Sequence, residues 1–473
     1  MSETDFIGRE EEIAFLEDLW NQKGFVTCTV WGRRRIGKST ILNRFMEGKR
    51  ALYLQGIEGS YYENLSSLSL DVSKFLEKEI PQAKDLTHLM EMIEDICREE
   101  HTLLIIDELP YLLRSAPQAS SVIQKSIDRV LKNTDCMFVI CGSSISVMRR
   151  ETENSDRPLY GRFEHTLQVK GLSPEACRKL HPEMDDETSL RWYCTVGGIP
   201  MYHRIKNGSS FSELVKSRFL GHIDSWRNDA PNVILQEFNG KKEYTGAVRC
   251  IADGSVRQSE IAEKMHIDRA ECKRILDDLE FVGILERRMP MAGAPKKPVY
   301  SIKDPFIAFH YKVLSPNMRS IDNSRSPDAL YYTLENDISS HIGHVFESLC
   351  GEWLDSNYPV LERGQWWGRI DGEDTDIDIV AKIADNGRTI RTIVGECKFS
   401  KRPMGFSTVN TLKSRANSAG LRENVSFALF SALGFEKELE ECAEENDIAL
   451  IDGSMILGEK KPPELFRTTS PIT

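Results

Sequence analysis

The chain has 473 residues, which is too many for one hydrophobic core, so roughly two to four domains are expected. Hydrophobic residues make up 40% of the sequence and charged residues 28%, as in ordinary globular proteins, and no apolar run is long enough to span a membrane. The net charge of −12 excludes a protein whose whole surface binds nucleic acid, although it allows a local basic stripe.

The N-terminus and the cysteines indicate a cytoplasmic protein. The first residues, MSETDFIGREEE, are acidic and lack the apolar stretch of a signal peptide. The 11 cysteines are scattered singly, mostly within apolar runs, and none forms a CxxC pair. We therefore expect buried free thiols in a reducing compartment.

Residues 25–41, FVTCTVWGRRRIGKSTI, contain the first motif. Their β-branched and apolar first half predicts a buried strand, which leads into a glycine-containing loop and then a helix. This is the context of a P-loop, whose backbone N–H groups and helix N-terminus surround the phosphates of a nucleotide. We expect Lys38 to reach the β and γ phosphates of ATP and Ser39 to ligate Mg²⁺. The nucleotide-binding residues predicted here are Gly32, Arg33, Arg34, Arg35, Ile36, Gly37, Lys38, Ser39 and Thr40.

Two further apolar runs supply the other groups that ATP hydrolysis needs. HTLLIIDEL predicts a strand that ends at Asp107, an acid suited to hold Mg²⁺, and the next residue, Glu108, is placed to polarise the attacking water. CMFVICGSS predicts another strand. Ser143 or Ser144 at its end would occupy a polar sensor position beside the γ-phosphate.

The order of these motifs resembles that of archaeal-type P-loop ATPases of the AAA+/STAND kind. The stretches that carry the resemblance are FIGREEEIAFL (6–16), GRRRIGKST (32–40), LLIIDE (103–108), CGSS (141–144), RPLYGR (157–162) and GGIP (197–200).

This resemblance implies roles for residues outside the P-loop. Ile7, Gly8 and Arg9 would lie near the adenine, and the GGIP turn would link the ATPase core to a helical lid. Arg157 or Arg162 would lie where an arginine can sense the γ-phosphate, although both also fit plain surface arginines.

Residues 241–302 predict a winged helix-turn-helix. The apolar spacing in RQSEIAEKMHIDRAECKRILDDLEF predicts two short helices joined by a tight turn at 265–267, and Asp268 with Glu271 forms a capping signal for the second helix. GILERRMPMAGAPKKPVYSI then predicts a two-stranded wing. The module has 12 Lys and Arg against 10 Asp and Glu, a balance that fits either DNA contact or a plain packing role. The basic residues of the wing are Arg287, Arg288, Lys296 and Lys297.

The last third of the sequence places ionisable residues within apolar elements. HIGHVFESLCGEWLDSN predicts an amphipathic helix that includes Glu347. Strands follow, of which DTDIDIVAKI contains Asp378 and RTIVGECKFS contains Glu396 and Lys398. Antiparallel pairing of these two strands would bring their three ionisable side chains to one face. Burying such groups is costly unless they pair or bind something.

Two hypotheses explain this group of residues. In the first, Asp378 and Glu396 form a hard-oxygen site for Mg²⁺ or Mn²⁺, Glu347 completes the metal shell, and Lys398 orients the attacking water. In the second, Glu396 and Lys398 form a buried ion pair. The order of helix, strand with Asp and strand with Glu-x-Lys resembles the PD-(D/E)XK nuclease superfamily, and it also resembles the nuclease-like domain that accompanies archaeal-type ATPases. The resemblance implies a metal-dependent DNA endonuclease.

The sequence therefore predicts an α/β multidomain protein, an ATP-dependent switch coupled to a Mg²⁺-dependent DNA endonuclease, in a setting such as defence against foreign DNA. The alternative is an ATP-binding regulator or DNA-binding protein with an inactive nuclease-like domain. Assembly into a homo-oligomer is left open. The predicted regions are a P-loop ATPase domain with a parallel sheet (1–205), a helical lid (206–240), the winged helix (241–302), a docking segment and polar linker (303–335) and a restriction-endonuclease-like domain (336–465).

Overall fold

The computed structural model describes residues 6–205, 208–221, 226–289, 291, 298–370, 373–385, 389–422, 424–443 and 445–463. The chain divides into two units. The first comprises Met1–Leu172 and Ile199–Met201, and the second comprises Ser173–Gly198 and Tyr202–Thr473. No helix in the described ranges has both the length and the apolar character that crossing a membrane requires.

The first unit alternates strands with helices. Its helices are α1 (Glu10–Trp20), α2 (Lys38–Met46), α3 (Tyr61–Phe75), α4 (Leu86–Glu99), α5 (Leu109–Ser115), α6 (Ala119–Arg129) and α7 (Ile145–Glu153). Its strands are β1 (Val26–Trp31), β2 (Ala51–Gln55), β3 (Thr102–Asp107), β4 (Cys136–Gly142) and β5 (His165–Gln168).

These five strands form a parallel sheet in the order β2-β3-β4-β1-β5. Every residue of β1, β3 and β4 is buried, which explains why these strands are continuous apolar runs in the sequence. Because parallel strands end at the same edge of a sheet, the loop after β1 and the residues that follow β3 and β4 lie together. The predicted strands of the N-terminal third are confirmed.

The second unit begins with helices. They are α8 (Pro174–Leu180), α9 (Asp186–Val196), α10 (Phe211–Val215), α11 (Asp229–Glu237), α12 (Lys242–Ala252), α13 (Gln258–Met265) and α14 (Arg269–Phe281). The last three are followed by the antiparallel strands β6 (Leu285–Arg288) and β7 (Val299–Ile302). Between α13 and α14 His266 adopts a left-handed φ of 54°, and the Asp268 carboxylate caps α14 by accepting the N–H groups of Ala270 and Glu271.

The segment predicted as a docking region and polar linker is helical. It contains α15 (Pro305–Phe309), a π-helical turn (His310–Leu314), α16 (Ser315–Asn323) and the start of α17 (Pro327–Asn357). The reason is burial, since Ile321 is fully buried and Leu330 and Leu334 are 7% and 2% exposed. The Ser326 side chain caps α17 by accepting the N–H of Ala329. Ser326 and Pro327 therefore mark the start of a helix within the segment expected to be a polar linker.

The boundary expected at residue 205 also differs from the observed one. Residues 173–198 belong to the second unit, where α9 packs against α15 and α17. A buried ring nitrogen of His341 donates to the Cys194 carbonyl at 3.0 Å and fixes α17 to α9. These long-range contacts are not visible as a sequence pattern.

The C-terminal sheet follows α17. Its strands are β8 (Val360–Ile370), β9 (Glu373–Asp385), β10 (Thr389–Lys398), β11 (Val425–Ser431) and β12 (Ile448–Asp452), accompanied by the helices α18 (Ser407–Ser418), α19 (Lys437–Cys442) and α20 (Gly453–Ile456). The strand order is β12-β11-β10-β9-β8. The pairs β8–β9 and β9–β10 are antiparallel, whereas β10–β11 and β11–β12 are parallel. Val409, Leu412 and Ala416 of α18 pack on one face of this sheet against Val394 and Leu429.

Candidate functional site

The loop between β1 and α2 depends on glycine at two positions. A Cβ at Gly32 would lie 2.4 Å from the Val169 carbonyl oxygen, and Gly37 has a φ of +97° where the chain enters α2. Lys38 is buried, and its ammonium donates to the carbonyls of Gly32 at 2.9 Å and Arg33 at 3.1 Å. A compact loop, a lysine and a helix N-terminus thus meet at one point, as a phosphate cradle requires.

Asp107, the last residue of β3, has no exposed surface and accepts hydrogen bonds at both carboxylate oxygens. Its Oδ2 accepts from Ser39 Oγ at 2.8 Å and from the Tyr53 hydroxyl at 2.5 Å, while its Oδ1 accepts from the Glu108 N–H at 2.8 Å. Burial and the neighbouring Asp107 charge raise the pKa of Tyr53 far above its ordinary value, so this hydroxyl stays protonated. The two predicted Mg²⁺ ligands, Ser39 and Asp107, are therefore in direct contact.

Glu108 and Ser143 also lie together. Glu108 has a left-handed φ of 51°, which turns its side chain toward the end of β4. There its Oε2 accepts from Ser143 Oγ at 2.8 Å and from the Ser143 N–H at 3.2 Å. Ser143, one of the two sensor candidates, thus contacts Glu108, and Oγ of the other, Ser144, lies 3.3 Å from Ser146 Oγ.

Arg9 connects the N-terminal motif to the P-loop. Its guanidinium donates to the Ile36 carbonyl at 2.9 Å and pairs with Glu12 at 2.7 Å. The N–H of Gly8 donates to Glu10 at 3.3 Å. The Arg34 guanidinium donates to the Tyr111 hydroxyl. The other residues predicted to bind the nucleotide are half-buried or exposed, namely Ile7, Arg33, Arg35 and Thr40.

The arginines considered as γ-phosphate sensors are held by acids. Arg162 makes a two-pronged contact with Asp128, with Nε and Nη2 at 3.0 and 2.9 Å from its two oxygens. Arg157 lies 3.6 Å from the buried Glu151. Neither observation supplies a contact to the P-loop, and the sensing role of Arg162 stays a prediction.

The C-terminal carboxylates lie side by side at the end of a strand pair. Gly395 of β10 pairs with Ile379 of β9, so Glu396 and Asp378 are the next two residues in register. Asp378 Oδ2 accepts the Cys397 N–H at 2.7 Å. The antiparallel arrangement expected from the sequence is present.

Burial and nearby negative charge raise the pKa values of these acids. Burial raises the pKa of Asp378 to about 8, and the charges of Glu396 and Glu347 add to the effect. Burial likewise raises the pKa of Glu347 to about 7. It also raises the pKa of Glu396, against the opposing charges of Arg415 and Lys398. Carboxyl groups that resist ionisation in this way mark candidate functional sites.

Glu396 has two cationic neighbours. Arg415 of α18 lies 3.1 Å from one carboxylate oxygen, and Lys398 lies 3.7 Å from the other. Lys398 is half-exposed, whereas Glu396 is buried. Sequence reasoning missed Arg415, because the packing of α18 on β10 is a tertiary contact.

The carboxylates do not form a three-ligand metal shell. Across the part of the chain that the structure describes, no group of three or more His, Cys, Asp and Glu side chains is arranged to hold a metal ion. The share of Glu347 in such a shell therefore stays a prediction, and any cation site here would rest first on Asp378 and Glu396.

The strand β6 is joined to the C-terminal sheet through Arg288. Its guanidinium donates to Ser348 Oγ of α17 at 2.9 Å and to Gln365 Oε1 of β8 at 3.3 Å. The Met291 N–H donates to the Gln365 carbonyl at 3.0 Å, and the Met291 side chain packs against the core around Trp366. Arg288 thus has a packing role.

The other basic residues of the expected wing differ from Arg288. Arg287 is 51% exposed and lies 3.7 Å from Glu280. Lys296 and Lys297 lie outside the described residues.

Comparison with known proteins identifies the family. Residues 6–202 match an ATPase domain found predominantly in Archaea, and residues 310–414 match a family of archaeal and bacterial proteins of unknown function. An uncharacterised protein of Methanocaldococcus jannaschii is 30% identical over 397 residues, which cover 81% of this chain and 85% of the relative. The chain belongs to the archaeal-type P-loop ATPases.

Two further likenesses concern parts of this ATPase. An uncharacterised ATP-binding protein of Methanocaldococcus jannaschii is 40% identical over 45 residues, which cover 10% of this chain and 76% of that protein. A solved Walker-type ATPase of Pyrococcus abyssi superposes with a TM-score of 0.52 at 18% identity, over 66% of this chain and 97% of that one. At this identity the superposition shows a shared fold.

The first prediction concerns Glu108. Glu108→Gln keeps the size of the side chain and leaves Asp107 and Ser39 in place, so the ATPase should still bind ATP. Hydrolysis should fall by about 100-fold or more, because the amide cannot accept a proton from water. Phosphate release and nucleotide binding, measured on the same samples, check this.

The matched control is Glu100→Gln, which changes a 73% exposed acid just before β3 and should leave the rate unaltered. A Glu108→Gln protein that hydrolyses ATP at the parental rate would remove Glu108 from the mechanism.

The second prediction compares neighbouring arginines. Arg288→Ala removes hydrogen bonds from a side chain that is 16% exposed and leaves Glu286 without its ion-pair partner. It should lower the free energy of unfolding by about 1–3 kcal/mol. Arg287→Ala removes an exposed side chain and should change it by about 0.5 kcal/mol or less. Urea denaturation followed by tryptophan fluorescence measures both. Equal effects would show that Arg288 is not a structural contact.

Proposed function

We propose that this chain is a switch driven by ATP hydrolysis in its P-loop unit. The observation that carries the proposal is the contact between Ser39 of the P-loop and the buried Asp107 at the end of β3, 2.8 Å apart. A hydroxyl and a carboxylate oxygen in contact are suitable ligands for Mg²⁺, and these two residues would hold it. When bound, Mg²⁺ neutralises charge on the β and γ phosphates.

The chain's own residues have distinct tasks in this proposal. Lys38 donates to neutral carbonyls at 2.9 and 3.1 Å, and charged phosphate oxygens are stronger acceptors for the same ammonium. Glu108 orients the attacking water and takes its proton. Ser143, which donates to Glu108 at 2.8 Å, holds that carboxylate in position. A γ-phosphate that engages the Ser143 hydroxyl would release Glu108 toward the water.

A second activity, metal-dependent DNA cleavage, is proposed for the C-terminal sheet. It is favoured by two adjacent acids, Asp378 and Glu396, whose ionised forms are disfavoured by burial, and the Glu396 charge adds to the effect on Asp378. A divalent cation, Mg²⁺ or Mn²⁺, would relieve this repulsion, and hard carboxylate oxygens suit it. The half-exposed Lys398 could orient a water or stabilise charge on a phosphodiester.

The competing function is regulation without cleavage. It is favoured by the contacts of Glu396 with Arg415 at 3.1 Å and Lys398 at 3.7 Å, which can hold a buried carboxylate without any metal. In that case the C-terminal sheet is an inactive nuclease-like scaffold. The first function suits an ATP-gated nuclease in defence against foreign DNA, and the second suits an ATP-dependent regulator.

The third prediction separates these two functions. Asp378→Ala and Glu396→Ala should each abolish Mg²⁺- or Mn²⁺-dependent nicking of plasmid DNA while ATP hydrolysis continues, because the P-loop has its own metal ligands. Lys398→Ala should reduce nicking by about 100-fold but not remove metal binding, since an ammonium is no metal ligand. Gel electrophoresis of nicked plasmid, with and without ATP, is the assay.

Glu362→Ala is the matched control, because it removes a 56% exposed acid from the same sheet and should not affect nicking. Absence of nicking by the parent, together with unfolding when Glu396 or Lys398 is replaced, would contradict the nuclease and favour the scaffold.

A further inference from the structure

Tyr53 is partly buried and contacts Asp107, one of the two residues proposed to ligate magnesium. It lies in none of the sequence motifs described above. It lies on β2, the edge strand of the parallel sheet, and is in register with Ile105 of β3. Two residues later, Gln55 is in register with Asp107. Side chains two residues apart on a strand share a face, so the Tyr53 ring extends along that face toward the end of β3.

The hydroxyl of Tyr53 contacts the Asp107 oxygen that also contacts Ser39, the other proposed magnesium ligand. It donates to Asp107 Oδ2 at 2.5 Å, and the same oxygen accepts from Ser39 Oγ at 2.8 Å. Asp107 Oδ1 is held separately by the Glu108 N–H at 2.8 Å. Tyr53 and Ser39 therefore fix one oxygen from two sides, and the backbone fixes the other.

The Ser39 and Tyr53 hydroxyls and the Glu108 N–H, which donate to Asp107, are electrically neutral. A lysine or arginine at the position of Tyr53 would also satisfy a buried carboxylate, but it would compensate the charge that attracts Mg²⁺. A hydroxyl fixes the direction of the carboxylate and leaves its charge in place. A phenylalanine would fill the same space without this contact.

We propose that Tyr53 is a positioning residue of the ATPase magnesium site, where it holds Asp107 Oδ2 beside Ser39 so that both oxygens are ready for the cation. This inference rests on the proposed ATP hydrolysis at the P-loop. It assigns Tyr53 no contact with the nucleotide and no part in proton transfer.

The test is Tyr53→Phe in the full chain. Binding of a fluorescent ADP analogue is titrated with Mg²⁺, and in parallel with EDTA in place of the metal. The half-saturating Mg²⁺ concentration should rise about tenfold, the size expected for one hydrogen bond to a charged group. Binding in EDTA should not change. At saturating Mg²⁺ the kcat of ATP hydrolysis should recover to within about threefold of the parent.

Two further proteins keep the result interpretable. Tyr61→Phe removes another tyrosine hydroxyl from the same unit, one that accepts the Leu86 N–H at 3.2 Å, and should leave the Mg²⁺ requirement unchanged. In an Asp107→Asn background, Tyr53→Phe should have no additional effect, because it acts through that carboxylate. Thermal unfolding of each protein checks that it is folded.

An unchanged Mg²⁺ requirement in a folded Tyr53→Phe protein would overturn the inference and leave the hydroxyl a packing contact. If Tyr53→Phe does not fold, Tyr53→His takes its place. The inference would then be overturned if the effects of Tyr53→His and Asp107→Asn on the Mg²⁺ requirement simply add in the double variant. A parent protein that binds no nucleotide at any Mg²⁺ concentration would instead refute the proposed ATP hydrolysis, and the role of Tyr53 with it.

Discussion

A carboxylate without exposed surface, Asp107, is the constraint around which the P-loop unit is organised. Such a group is tolerated in a protein interior only if its oxygens are hydrogen-bonded. The parallel sheet meets this requirement by ending β3 where the loop after β1 and the side chains of β2 converge. Ser39, Tyr53 and the Glu108 N–H satisfy the carboxylate. Because these three donors are neutral, they orient the carboxylate without adding a positive charge of their own.

The two C-terminal carboxylates, Glu396 and Asp378, differ from each other in the groups that surround them. Glu396 is flanked by Arg415 and Lys398, whereas Asp378 accepts the backbone N–H of Cys397 and has its pKa raised to about 8. The charge of Glu396 is compensated by the two cations. Ionisation of Asp378 is disfavoured by burial and by the neighbouring acids. This mixture explains why both a cation site and an ion-pair scaffold are consistent with the same residues.

Local patterns were sufficient for part of this structure. The strand, loop and helix at 25–46 and the strands that end at Asp107 and Gly142 could be predicted, because a buried parallel strand is a continuous apolar run. The same holds for α13, α14 and the Asp268 cap. In each case the information lies within a few residues of the element it defines.

Long-range contacts account for what the sequence did not reveal. Tyr53 reaches Asp107 only because β2 pairs with β3, and Arg415 reaches Glu396 only because α18 packs on β10. Arg288 looked like a basic wing residue, yet its guanidinium is occupied by Ser348 and Gln365. The helical course of 315–323 and the placement of 173–198 in the second unit likewise depend on which surfaces meet.

The central claim, that this P-loop hydrolyses ATP, is tested most directly by phosphate release from Mg²⁺-ATP. The parent and Lys38→Ala are compared, with the exposed Lys23→Ala as a control. The account predicts Mg²⁺-dependent release by the parent and by Lys23→Ala, and release at background level by Lys38→Ala, because the lysine contact to the phosphates is lost. Equal rates for the parent and Lys38→Ala, or no release by the parent, would contradict it.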